Sequence, residues 1–179
     1  YLMKKVFQNW ILSKYRWYPL ASSEALAGIV ADLMGDGHLQ DSPKWRLDYT
    51  SNSTDELLRF NNEVKSLFGV FGKVRECKTN KYGTMNLGIN NKPLARTLKS
   101  IGVSTGQKVL KDFGIPQWIM EDKSFFSRFI NRLFCCESHV DVSCKCIDIC
   151  MYKSREHLIS GIMFFKQIKQ GLKKYFSIN

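Results

Sequence analysis

Two acids, Asp36 and Glu137, occupy matching places in two stretches of the chain. Asp36-Gly37-His38-Leu39 and Glu137-Ser138-His139-Val140 share the order acid, small residue, histidine, aliphatic residue, at a fixed offset of 101 residues. Each acid closes a run of helical character. A carboxylate just past a helix C-terminus faces the negative end of the helix dipole, so a cation beside it is favoured. Two such carboxylates brought together repel unless a divalent cation holds both, and that arrangement is the core of a metal-dependent phosphodiesterase site. Hard oxygen ligands favour Mg2+, with Mn2+ as its substitute, over zinc.

The elements that must position these acids are two helices. Ser22 or Ser23 caps the first, over residues 22–35, and Glu24 suits its positive end. Gly35-Asp36-Gly37 ends it. Ala27, Ala31 and Gly35 fall at i, i+4 and i+8 on one face, which lets another helix approach closely. The second helix, over 125–136, runs to Glu137. Packed side by side, the two place both carboxylates at one end.

Between them the periodicity alternates. Trp45, Leu47 and Tyr49 share one strand face, and Lys44, Arg46, Asp48 and Thr50 the other. With Leu39 and Gln40 this reads as a hairpin. Ser53 caps a helix over 55–68. A second hairpin follows, with strands over 72–78 and 84–90 around a turn at 79–83, then a helix over 92–100 that stops at Gly102. The order αββαββα implies a four-stranded antiparallel sheet with helices on one face. Its other face carries Lys44, Arg46, Arg75 and Asn86, with Lys78, Asn80, Lys81 and Tyr82 in the turn. Long cations for phosphate beside amides and hydroxyls for base edges suit DNA, although a solvated sheet face alternates in the same way.

After a linker over 103–120 the pattern begins again with a motif helix, a hairpin and a helix over 155–172. Val140, Val142 and Cys144 alternate along its first strand. No residues remain for a second hairpin and final helix. The expected organisation is an N-terminal arm over 1–20, a first unit over 21–102, the linker, and an incomplete second unit over 121–179. The arm mixes Phe7, Trp10, Tyr15, Trp17 and Tyr18 with Lys4, Lys5, Lys14 and Arg16, and either packs on the domain or lies on DNA.

The formal charge is +11 and the pI near 9.4, which makes nucleic acid the first candidate partner of a basic globular chain. No apolar run is long enough to span a membrane, and no signal-peptide core is expected at residues 1–10. An intracellular location follows, in an organelle or an archaeal cytoplasm, the biased Lys, Asn, Ile, Phe and Tyr content suggesting an AT-rich gene. Five of the six cysteines lie between 135 and 150. A zinc site with His139 and His157 competes with a reading as small buried hydrophobes in a reducing compartment, and the lack of any C-x-x-C pair favours the second.

Residues 29–37, Ile-Val-Ala-Asp-Leu-Met-Gly-Asp-Gly, resemble the motif of the LAGLIDADG homing endonucleases in their two-motif, single-chain form, and residues 114–119, Gly-Ile-Pro-Gln-Trp-Ile, resemble the linker such proteins carry. The resemblance covers residues 21–171. In the second motif Arg132 stands where the family has a small residue, Cys135-Cys136 replaces an Asp-Ala-like pair, and Ser138 replaces glycine, departures that predict a less tight helix pair.

The resemblance implies an α+β fold of tandem αββαββα units. Antiparallel sheets form a saddle in the DNA major groove, and the motif helices pair at a pseudo-two-fold interface. It implies a site-specific double-strand DNA endonuclease, intron-encoded and serving intron homing. Asp36 and Glu137 would hold the metal with the backbone carbonyls of Gly35 and Cys136. The DNA face would comprise His38, Gln40, Lys44, Arg46, Asp48, Thr50, Arg75, Lys78, Asn80, Lys81, Tyr82, Thr84, Asn86 and Lys145. The family often has a lysine after the second strand of each half. Asn52 stands there in the first half and Lys153 in the second, either a catalytic lysine or an exposed helix-start cation. The alternative function is a LAGLIDADG-like nucleic-acid binder or intron maturase without cleavage. A monomer is the favoured form; the other is a homodimer through the first motif, which the offset of 101 residues argues against.

Overall fold

Short polar caps set where the helices begin. The computed structural model describes residues 14, 15, 17, 19–77 and 83–178. Helix α1 spans Glu24–Met34, and the Ser23 hydroxyl accepts the Leu26 N–H at 3.2 Å. Helix α2 spans Thr54–Phe68, capped by Ser53 and ended by Gly69 at a left-handed φ of 63°. Asn91 caps α3, Lys92–Ser100, with Pro93 in its first turn. A short α4, Gln117–Met120, precedes α5, Lys123–Glu137, whose first N–H groups bond to the Asp122 carboxylate. Helix α6, Leu158–Phe176, follows a single 3-10 turn at Arg155–His157 and runs four residues past the expected end.

Strands β1 (Gly37–Leu39), β2 (Leu47–Ser51), β3 (Lys73–Glu76) and β4 (Met85–Ile89) form one antiparallel sheet in the order β1-β2-β4-β3. Strands β5 (Ser138–Asp141) and β6 (Cys146–Ile149) form a separate hairpin. The sequence of elements is α1-β1-β2-α2-β3-β4-α3 and then α4-α5-β5-β6-α6, an α+β architecture. Leu47, Tyr49, Leu87 and Ile89 point from the first sheet into the core, and Tyr49 stacks on Phe60 of α2 at 4.5 Å. Period-two alternation thus buries one face of the sheet under helices.

Helices α1 and α5 pack with little between them. A Cβ on Gly35 would lie 2.5 Å from the Cys136 Cβ, and one on Gly28 would lie 3.0 Å from Arg128 Nε. Gly28, Asp32 and Gly35, at i, i+4 and i+7, meet α5, and the expected Ala27 and Ala31 are fully buried.

Four further expectations change. Strand β5 ends at Asp141, because its carboxylate accepts the Ser143 N–H at 2.8 Å and the Cys144 N–H at 3.3 Å, turning the chain. Val142 and Cys144 therefore sit in a turn. The cysteines are not buried hydrophobes: Cys135, Cys144 and Cys150 are exposed, and Cys144 is disulfide-bonded to Cys146. Among the described residues this hairpin pairs with no further strand, and Val140 and Ile147 are exposed too. Lys44 and Trp45 precede β2 in a turn where Trp45 has a positive φ, and its ring meets Arg96 at 5.0 Å. Of the N-terminal arm, Tyr15 stacks on Trp17 at 4.4 Å and Trp17 meets Phe68 edge-on, so these two pack on the domain. Most of the remaining arm lies outside the described residues.

The Gly35 contact is steric, since its φ of −85° lies outside the left-handed region that favours glycine. Gly35→Ala is expected to cost about 1–3 kcal/mol, because a backbone-fixed Cβ meets another backbone-fixed Cβ. Gly28→Ala is expected to cost less, since the flexible Arg128 side chain gives way. Urea denaturation of both variants checks the order, and equal losses would refute it.

Candidate metal centre at the paired helix ends

The helix pair is locked by charge. Asp32 lies fully buried in the middle of α1. Its carboxylate accepts two N–H groups of Arg59 from α2, both at 3.0 Å, and Arg132 Nε from α5 at 3.0 Å. Arg132 also ion-pairs with Glu56, Arg59 with Glu56 and Glu63, and Arg128 with Glu63. Three acids and three arginines tie α1, α2 and α5 together. Burial raises the Asp32 carboxyl, and the two guanidiniums oppose it; the charge of Asp32 holds Arg59 and Arg132 above the usual arginine range against their own burial. Arg132 therefore does not loosen the pair, as its bulk predicted: it reaches across to α1 and ion-pairs with a carboxylate there. A charged residue within the aliphatic run Ile29 to Met34, and another within Ile130 to Leu133, were the sequence signals for this contact.

One turn beyond Asp32, the same helix end brings Asp36 beside α5. A Cβ on Gly35 would lie 3.5 Å from Glu137 Oε1, so the two acids flank the same close contact. Asp36 is exposed by area, yet burial against its neighbours raises its carboxyl, with Lys108 opposing. Glu137 is raised by burial as well; Lys108 opposes the rise and the Asp36 charge adds to it. Both acids thus sense the same lysine, and Glu137 also senses Asp36. Cys136, packed against Gly35, has its thiol pushed up to about 12, chiefly by burial, so it stays neutral and offers no soft thiolate. Two carboxylates and the Gly35 carbonyl form an oxygen donor set that fits a hard divalent ion.

Lys108 had no sequence signal. It lies in the linker on a 3-10 turn, Lys108–Leu110, and its Nζ donates to Met34 O at 3.0 Å and to Gly35 O. Lys153, the expected catalytic lysine, points elsewhere. Its Nζ donates to Lys108 O at 2.6 Å and to Lys111 O, and lies 3.7 Å from the centre of the Phe113 ring. It clips the linker turn, and the cation beside the acids is Lys108. His157 pairs through Nδ1 with Asp112 at 2.8 Å.

The outer face of the first sheet carries polar rows. Register aligns His38, Asp48, Gly88 and Lys73 in one row, and Thr50, Asn86 and Arg75 in the next. The Asn86 amide donates to the Thr50 hydroxyl at 3.1 Å. Asp48 is buried, and its carboxylate takes Gln40 at 2.8 Å and Arg46 Nε at 2.6 Å, so it positions those two side chains. Arg46 lies over Gly88, where a Cβ would meet its guanidinium at 3.0 Å. Lys44 and Arg75 are exposed, Thr84 is half-buried beside β4, and Lys145 is exposed in the β5–β6 turn. Lys78, Asn80, Lys81 and Tyr82 lie outside the described residues.

No family model matches the chain. The replication factor C small subunit of Methanocaldococcus jannaschii is 30% identical over 131 residues, 66% of this chain. The chain spans only 7% of the length of that relative. Among solved structures, the N-terminal LAGLIDADG domain of WhiA superposes with a TM-score of 0.57 at 14% identity, covering 90% of this chain and 70% of its own. A variant of I-DmoI, bound to its target DNA nicked in the coding strand in the presence of Mn, gives a TM-score of 0.54 at 15% identity, covering 84% and 76%.

The buried network makes its own demand. Asp32→Ala strips both guanidiniums of a shared partner and is expected to cost about 3–5 kcal/mol. Arg132→Met is expected to cost less, because Asp32 keeps both bonds to Arg59. Chemical denaturation of the two variants reads the difference, and a harmless Asp32→Ala would mean that the network does not hold the helices.

Proposed function

We propose that this chain, which has the LAGLIDADG fold, is a site-specific endonuclease that cleaves double-stranded DNA with a divalent metal, Mg2+ or Mn2+. The observation that carries the reading is the pair Asp36 and Glu137, set together at the ends of two tightly packed helices and next to the first strands of both sheets. In this reading the two carboxylates and the carbonyls of Gly35 and Cys136 hold the metal. When bound, the ion readies water for in-line attack on phosphate and neutralises the leaving oxygen.

The remaining roles fall to the protein's own groups. Lys44, Arg46, Arg75 and Lys145 attract phosphates, and His38, Gln40, Thr50, Thr84 and Asn86 meet base edges in the major groove. Asp48 aims Arg46 and Gln40. Lys78, Asn80, Lys81 and Tyr82 extend the same surface. An intron-encoded protein acting in intron homing, as a monomer, completes the proposal.

A second reading, a nucleic-acid binder or maturase that does not cut, is supported by two observations. Lys108 already engages the Gly35 carbonyl, and Lys153 is turned onto the linker. Asp36→Asn and Glu137→Gln separate the readings, since each removes one negative charge and keeps the shape. Both variants are expected to fold and bind DNA. Asp36→Asn is expected to gain about 0.3–1 kcal/mol without metal, because a carboxylate past a helix C-terminus is unfavourable. Either change is expected to abolish cutting of at least one strand, read by nicking of supercoiled plasmid beside a gel shift in Ca2+. A wild type that binds but never nicks in Mg2+ or Mn2+ would establish the non-cutting reading.

The DNA surface has a separate test. Lys44→Ala and Arg75→Ala each lose an exposed cation and are expected to flatten the slope of log K against log salt by about 1. Arg46→Ala is expected to weaken binding but to flatten the slope less, since Asp48 already balances its charge. Unchanged affinity and slope at low salt for Lys44→Ala and Arg75→Ala would move the DNA surface off this sheet.

A further inference from the structure

Lys108 is held in place from both halves of the molecule. The Gly106 N–H donates to Leu39 O at 2.8 Å, and Thr105 donates to Asp41 at 3.0 Å, fixing the linker to the first hairpin. From the other side Lys153 Nζ grips Lys108 O, and the Ser154 N–H donates to Val109 O at 3.0 Å. The side chain is half-buried, and its ammonium is bonded to the carbonyls of Met34 and Gly35 at the end of α1. It acts on Asp36 and Glu137 through its charge.

We propose that Lys108 is a resident cation of this site, one that a divalent ion must displace from the Gly35 carbonyl before Asp36 and Glu137 can hold it. The inference rests on the metal reading given above. A divalent ion on the Gly35 oxygen would sit about 2.0–2.6 Å from it, on the same atom that accepts the ammonium. Two cations sharing one oxygen repel strongly in a partly buried site. The ammonium also offsets part of the mutual repulsion of the two acids, so the metal-free pair has less need of an ion. Lys108 therefore lowers metal affinity and raises the metal concentration at which the site loads. Lys153 is a positioning residue, because it fixes the turn that carries Lys108.

The test is Mn2+ binding to the full chain without DNA, read by the electron paramagnetic resonance signal of free Mn2+. Lys108→Met and Lys108→Gln are expected to bind Mn2+ at least about tenfold more tightly than wild type. Lys108→Gln keeps a donor for Gly35 O and loses only the charge, so it carries the comparison if Met disturbs the turn. Lys108→Arg restores the charge and is expected to return affinity to near the wild-type value. The Asp36→Asn, Glu137→Gln double variant is expected to lose the site. Equal or weaker binding by the Met and Gln variants, with loss in the double variant, would overturn the inference and leave the metal reading standing: Lys108 would then be a helix cap alone. Absence of Mn2+ binding in wild type and in both neutral variants would overturn the metal reading and this inference together.

Discussion

A carboxylate sealed away from water must be answered where it sits, and Asp32 sets that requirement for the whole molecule. Isolated, its charge would be too costly to bury; protonated, it would leave Arg59 and Arg132 without their shared counter-charge. The solution draws one arginine from α2 and one from α5 onto a single residue of α1. That fixes the rotation of each helix as well as its distance. Once Arg132 reaches Asp32, Gly35 falls against Cys136, and Asp36 and Glu137 follow at the same end. Two acids one helical turn apart then have opposite fates. Asp32 is ion-paired to two arginines, whereas Asp36 lies past the helix end with a lysine that bonds to carbonyls instead of to its carboxylate. Charge that is only partly answered is what makes the second position a candidate for chemistry.

The linker couples the halves at that point. Its turn is bonded to β1 through Gly106 and to the start of the α6 segment through Lys153 and Ser154. Movement of either half therefore reaches Lys108, and through it the electrostatics of both acids. A helix C-terminus favours a cation for its own reasons, while burial pulls the Lys108 amine below the usual lysine range and the two acids oppose that.

What was legible in the sequence is what is local. Ser23, Ser53 and Asn91 cap helices within three residues, and the alternation Leu47, Asp48, Tyr49 assigns faces within one strand. The offset linking Asp36 to Glu137 was legible because the chain repeats itself. What failed depends on partners far along the chain. Arg132 looked like an intruder because its partner is 100 residues away, and Lys108 looked like any linker lysine because Gly35 is 73 residues away. The cysteines were misjudged for a third reason: alternation says which face a residue takes, not whether anything covers that face. The hairpin of β5 and β6 stands without the extra strands that β2 and β4 give each other, so its apolar side stays exposed.

The arginine network also bears on how the chain can meet a polyanion. Three arginines and three acids make it neutral as a unit, so the whole formal charge of +11 is carried outside it. The residues that hold the helices together take no net share in the attraction of phosphate. Structural and attractive cations are separate sets: buried or half-buried guanidiniums paired with carboxylates, and surface lysines and arginines that exchange counterions. Arg46 stands between them, aimed across the sheet by Asp48 and lying over Gly88, where a Cβ would meet its guanidinium at 3.0 Å. A cation held in that way costs less entropy to place on a partner than a mobile lysine does, because its direction is already chosen before the partner arrives.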